Sequence, residues 1–169
     1  MKKVLTILLI ITMIISCTAC GRKKEVEEKT MKVTFNDLKL EIPKEFKENK
    51  TKDAIETYKS YSMEKDDSTC NIYLTYHEVY IEEDKEDEKI KEWLDIAKTL
   101  DNSNAEIEFK EINSSKWGYI RIEQYSSIEY QYSSINNKKL YTVQYNYNKE
   151  AKDTCDIYVK DIMKSLSFN

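Results

Sequence analysis

Apolar and polar residues alternate in short runs along most of this chain, and two stretches switch to a helical period. Met31–Phe35 and Leu38–Ile42 alternate around Asn36-Asp37, two residues that tolerate positive φ, so they predict a tight hairpin. Pro43, with no N–H for a ladder, ends the second strand. A weaker strand is expected over Ala54–Met63, a turn at Asp66-Asp67-Ser68 and a long strand over Cys70–Ile81. Cys70, Ile72, Leu74 and Tyr76 share one face of that strand. Glu86–Leu100 then places Ile90, Trp93, Leu94, Ala97 and Leu100 on one helical stripe, with charged residues elsewhere.

From Ala105 to Tyr147 the pattern predicts a four-strand antiparallel meander. A turn at Asn136-Asn137 sets Tyr132 opposite Tyr141 and Tyr130 opposite Val143. A turn at Ser114-Ser115 sets Ile107 opposite Ile122 and Phe109 opposite Ile120. A three-residue loop, Tyr125–Ser127, brings Ile122 to Tyr130, so the four strands are expected to share a single apolar face. Lys149–Lys164 reads as a second helix, with Asn148 as N-cap and a stripe of Cys155, Val159, Ile162, Met163 and Leu166. The fold class is therefore α+β: an antiparallel sheet of about six to seven strands packed with two main helices. The element order, from the hairpin ending at Ile42-Pro43 to the closing helix and Lys164-Ser165-Leu166-Ser167-Phe168, resembles the Mog1/PsbP-like fold. That resemblance implies a binding or accessory role, not catalysis, and transfers no functional residue.

The first thirty residues belong to a different regime. Lys2 and Lys3 precede the apolar run Val4–Ile15, whose rise as a helix is about 18 Å, short of a ~30 Å hydrocarbon core. This favours a cleaved export signal over a permanent span. The run ends in Cys17-Thr18-Ala19-Cys20-Gly21, which resembles the bacterial lipobox, with Cys20 as the acylated first residue of the mature chain; Ser16-Cys17 is the alternative site. Two or three palmitate-type chains, at roughly 0.8 kcal/mol per buried CH₂, anchor a protein firmly. The expected organisation is a signal peptide over 1–19, lipidated Cys20 and a charged linker over 20–30, and one domain over 31–169. The linker's ten residues reach at most about 35 Å, which keeps the domain near the bilayer.

Composition narrows the partners. The 27 basic residues, less Lys2 and Lys3, leave 25 against 31 acidic ones, a net charge of −6 that argues against nucleic acid. Two glycines and one proline among abundant Lys, Glu, Ile, Asn and Tyr fit an AT-rich genome, as in Gram-positive bacteria of the clostridial kind. Cys70 and Cys155 are a candidate disulfide in an oxidising compartment; the alternative is two buried thiols.

No catalytic, metal or cofactor constellation emerges. His77 is the single histidine, expected opposite Leu74 and Tyr76, and no Gly-x-Ser-x-Gly elbow exists. The acidic run Glu82–Glu88 lacks the glycine and ligand spacing of an EF-hand and reads better as carboxylates at a helix N-terminus. Thirteen tyrosines are the unusual feature. Tyr130, Tyr132, Tyr141 and Tyr145 read as core, whereas Trp117, Tyr119 and Tyr125 read as a candidate ligand-contact strip, with burial under the second helix as the alternative. The expectation is a lipid-anchored, extracytoplasmic, non-enzymatic module at the cell membrane, binding a protein, peptide or glycan. The alternatives are an envelope hydrolase using paired carboxylates and a structural subunit of an envelope complex.

Overall fold

The computed structural model describes residues 29–50, 56–65, 67–82, 84–101 and 103–169; the signal-like segment, Cys17 and Cys20 lie outside them. The strands are β1 (Thr30–Phe35), β2 (Leu38–Pro43), β3 (Lys47–Glu48), β4 (Tyr58–Lys65), β5 (Ser68–Glu78), β6 (Glu108–Ile112), β7 (Ser115–Glu123), β8 (Ser127–Asn136), β9 (Lys139–Asn148) and β10 (Ser167–Phe168). Helix α1 (Glu86–Leu100) separates β5 from β6, and α2 (Lys152–Lys164) follows β9 after a 3-10 turn, Lys149–Ala151.

Seven strands form one antiparallel sheet in the order β3-β4-β5-β9-β8-β7-β6, and β1-β2-β10 form a second, three-stranded sheet. The α+β class holds. The predicted hairpin exists in the expected register, Phe35 opposite Leu38, but it pairs with the C-terminal strand instead of joining the large sheet. The small sheet and α2 cover one face of the large sheet, and α1 lies over β7 and β8 on the other.

Two hairpin registers differ from expectation by one residue on each strand. The tips are Asn113-Ser114 and Asn137-Lys138, all four residues at positive φ, so Tyr132 faces Val143 and Phe109 faces Gly118. Asparagine adopts the left-handed region more readily than serine, which favours Asn113-Ser114 over Ser114-Ser115. Sliding both strands together leaves each side chain on the same face as the partner predicted for it.

The β7–β8 hairpin differs in kind. Gln124 N–H bonds to Ser127 O across the two-residue tip Tyr125-Ser126, so Ile122 faces Glu129 and Ile120 faces Gln131. A one-residue slip inverts a strand. Ile120 and Ile122 therefore leave the tyrosine face and pack with Ile90, Leu94 and Leu140 beneath α1. The meander has two apolar faces, not one.

At Gly118 the packing under α1 is closest. A Cβ built there would overlap Ile90 Cγ2 and stand 2.8 Å from Leu94 Cδ1, so a backbone without a side chain lets the helix settle. On α1, Ile90 and Leu94 are buried, while Leu100, expected on the apolar stripe, is 81% exposed. The α2 stripe of Cys155, Val159, Ile162, Met163 and Leu166 is wholly buried. Its helix starts three residues later than expected, and Asn148 makes no side-chain cap.

Candidate functional site

The tyrosines of the meander are core. Tyr130, Tyr132, Tyr141 and Tyr145 are all buried on the face covered by α2 and the small sheet. Burial first, and then nearby tyrosine and carboxylate charge, pushes the phenols of Tyr132 and Tyr145 far above the usual tyrosine range, so they stay neutral. Tyr130 and Tyr147 both donate to Asp156 Oδ1, at 2.7 and 2.5 Å. Burial opposes ionisation of Asp156, but those two bonds and the charges of Lys152 and Arg121 prevail and hold the carboxyl below its ordinary range. This network ties α2 to β8 and β9. Nothing in the sequence pattern signals it, because Asp156 is merely the residue after Cys155 on a helix.

The strip Trp117, Tyr119 and Tyr125 does not form one surface. Trp117 is 0% exposed and lies under the ring of Phe168, with centroids 5.3 Å apart and planes 2° from parallel. Tyr119 is half-buried against Tyr132 on the same face. Tyr125 is 99% exposed at the β7–β8 tip. Burial, the alternative for Trp117, is what the fold provides, under β10 instead of under α2 itself.

Cys70 and Cys155 are joined as a disulfide, with Cα atoms 5.7 Å apart, linking β5 to α2 inside the core. His77 is exposed, and its ring centroid lies 5.2 Å from that of Trp93 on α1. Of the acidic run, Glu86, Asp87 and Glu88 occupy the first turn of α1, where the helix dipole favours them. Asp87 pairs with Lys116, and Glu82 with Lys85. Among the described residues no three His, Cys, Asp or Glu side chains converge as a metal site.

The surface without an account so far is the half of the large sheet that α1 leaves uncovered. Registers place three four-residue rungs on it. Ser62, Asn71, Asn146 and Glu129 form one; Ser60, Tyr73, Gln144 and Gln131 form the next; Tyr58, Thr75, Thr142 and Ser133 form the third. Tyr58, Ser62, Asn71, Tyr73, Thr75, Gln144, Asn146 and Glu129 are half-buried, whereas Ser60, Gln131, Ser133 and Thr142 are buried, the last two hydrogen-bonded to each other at 3.0 Å. Asn71 Nδ2 donates to Asn146 Oδ1 at 3.3 Å, and Gln144 bonds Glu129. The rings of Tyr58 and Tyr73 stand 6.3 Å apart. Burial, with the charge of Asp101 adding to it and the Gln144 bond opposing, raises the Glu129 carboxyl above its usual range. At the β4 edge this face meets a cleft of about 450 Å³ lined by Phe35, Tyr58 and Tyr76 with Asn49, Ser60 and Lys59. Strand alternation alone could have found these rungs, since every member sits opposite a core residue in its own strand.

The chain superposes on the solution structure of cyanobacterial PsbP (CyanoP) from Synechocystis sp. PCC 6803 with a TM-score of 0.55 at 11% identity, over 89% of this chain and 99% of that one. The fold is PsbP-like. A crystal structure from Bacteroides thetaiotaomicron VPI-5482 matches with a TM-score of 0.54 at 10% identity, over 83% of this chain; the match spans 48% of that longer protein. No protein-family model and no curated protein sequence matches this chain. At such identities the PsbP-like likeness concerns backbone architecture, which agrees with the order of elements legible in the sequence.

Proposed function

We propose that this protein is a membrane-tethered, extracytoplasmic accessory module that binds a partner or ligand and performs no chemistry of its own. The uncovered polar face carries the reading. Eight of the twelve rung positions, spread over four adjacent strands, stand half-buried with amide, hydroxyl and phenol groups and one carboxylate at the surface of the sheet. Antiparallel sheets commonly carry one solvated polar face, and hydrogen-bonding groups held on rigid strands suit recognition. The lipobox at Cys20 supplies the address, and a buried Cys70–Cys155 disulfide suits an oxidising compartment. The PsbP-like architecture supports an accessory role by analogy of fold.

The test is fractionation of cells producing the full chain, with intact-mass analysis of the product. The expected product starts at Cys20, carries acyl chains and sediments with membranes, and Cys20→Ala leaves it unacylated. A cytosolic, unacylated protein that still begins at Met1 overturns the reading.

A further inference from the structure

We infer that the uncovered half of the large sheet binds a neutral, N-acetylated glycan. This deepens the binding-module reading and rests on it. The first argument is charge. Asp, Glu, Lys and Arg make up 34% of the chain, yet the three rungs contain no lysine or arginine and only one carboxylate, Glu129. A face for nucleic acid, teichoic-type polyphosphate or anionic lipid would need cations there. A face for a basic peptide would need more than one acid. An uncharged polyhydroxylated chain is what such a surface complements.

The second argument is group chemistry. Asn71, Asn146 and Gln144 stand side by side, each presenting an N–H donor and a C=O acceptor. The Asn71–Asn146 bond uses one donor and one acceptor of the pair and leaves the others for a ligand. A sugar acetamido group offers the same donor and acceptor, so it can pair with these amides as they pair with each other. Tyr73 and Tyr58 supply rings with apolar faces beside them, the surface a pyranose covers, and phenol tips for its hydroxyls. From β4 to β8 the platform crosses three strand spacings, about 14 Å, which suits a short oligosaccharide more than a single ring.

The probe is the β-1,4-linked N-acetylglucosamine hexamer, titrated into the mature chain by calorimetry and by backbone amide shifts. Saturable binding is expected, with shifts concentrated on Asn71–Thr75 and Thr142–Asn146 and little change between low and high salt. Tyr73→Ala and Gln144→Ala should each weaken it at least tenfold, Tyr73→Phe less, and Tyr125→Ala not at all. Circular dichroism and melting establish that each variant is folded. No binding at millimolar hexamer overturns the assignment, as does binding that survives Tyr73→Ala and Gln144→Ala together, or salt-sensitive binding of polyglutamate in place of the hexamer. A stoichiometric protein partner crosslinked through these rungs, with no glycan bound, would overturn the glycan and leave the binding module standing; a cytosolic, unacylated chain would overturn the module itself.

Discussion

Cys70, opposite Met63 in the β4–β5 hairpin, and Cys155, in the first turn of α2, are 85 residues apart in sequence and covalently joined in the core. The bond closes a loop that contains α1 and all of β6–β9. Cross-linking a loop of this length removes unfolded-state freedom worth about 4.6 kcal/mol in the chain-entropy account. Reduction, or the double replacement Cys70→Ala with Cys155→Ala, is therefore expected to lower stability by roughly 3–5 kcal/mol, read as a fall in Tm against the oxidised protein. An unchanged melt on adding reductant, with thiols shown to be free, would contradict this.

Gly118 makes a second prediction. Because a methyl there meets Ile90 and Leu94 side chains, Gly118→Ala overpacks the layer beneath α1 and should cost about 1–3 kcal/mol. Ile90→Ala removes the Cγ2 methyl that meets the added one. The double variant should lose less stability than the two single losses added together, a coupling measurable in a double-mutant cycle.

Asp156 gives a pH-dependent effect of one sign. Two phenol bonds to one carboxylate make Asp156→Asn destabilising by about 2 kcal/mol at neutral pH. The folded-state carboxyl is held below the unfolded value, so its contribution is complete above the ordinary aspartate range and disappears as pH falls through the folded value. Urea midpoints of wild type and variant should converge in acid. Parallel profiles down to the lowest pH would refute the network's role.

Glu129 gives the opposite sign. Its carboxyl is raised by burial, so as pH climbs from the ordinary glutamate range through the folded value, the folded state keeps a proton that the unfolded state has released, and stability falls. Glu129→Gln removes that slope. The variant should be the more stable protein at neutral pH and indistinguishable near pH 3.

Much of this architecture was legible in strand alternation and helical stripes. The β1–β2 register, α1 and the α2 stripe appear where the pattern puts them. The β7–β8 pairing was not legible, for a physical reason. Ile120 and Ile122 satisfy burial equally well on either face once a helix covers the second one, and the pattern around Tyr125 fits both a two-residue and a three-residue tip. Trp117 was misplaced for a related reason: its cover is Phe168, brought from fifty residues away by the pairing of β10 with β2. The polar rungs, in contrast, could be read from Asn71-Ile72-Tyr73 and Gln144-Tyr145-Asn146, where polar and aromatic residues interleave with core ones.

The cystine also sets where the domain yields under load. Tension arriving through the N-terminal side must first peel β1 to β4, which precede Cys70 in the chain. It then meets a covalent stop. The span from β5 to α2, with the polar rungs of β5, β8 and β9 on it, lies within the closed loop and cannot be drawn out as extended chain while the bond is intact.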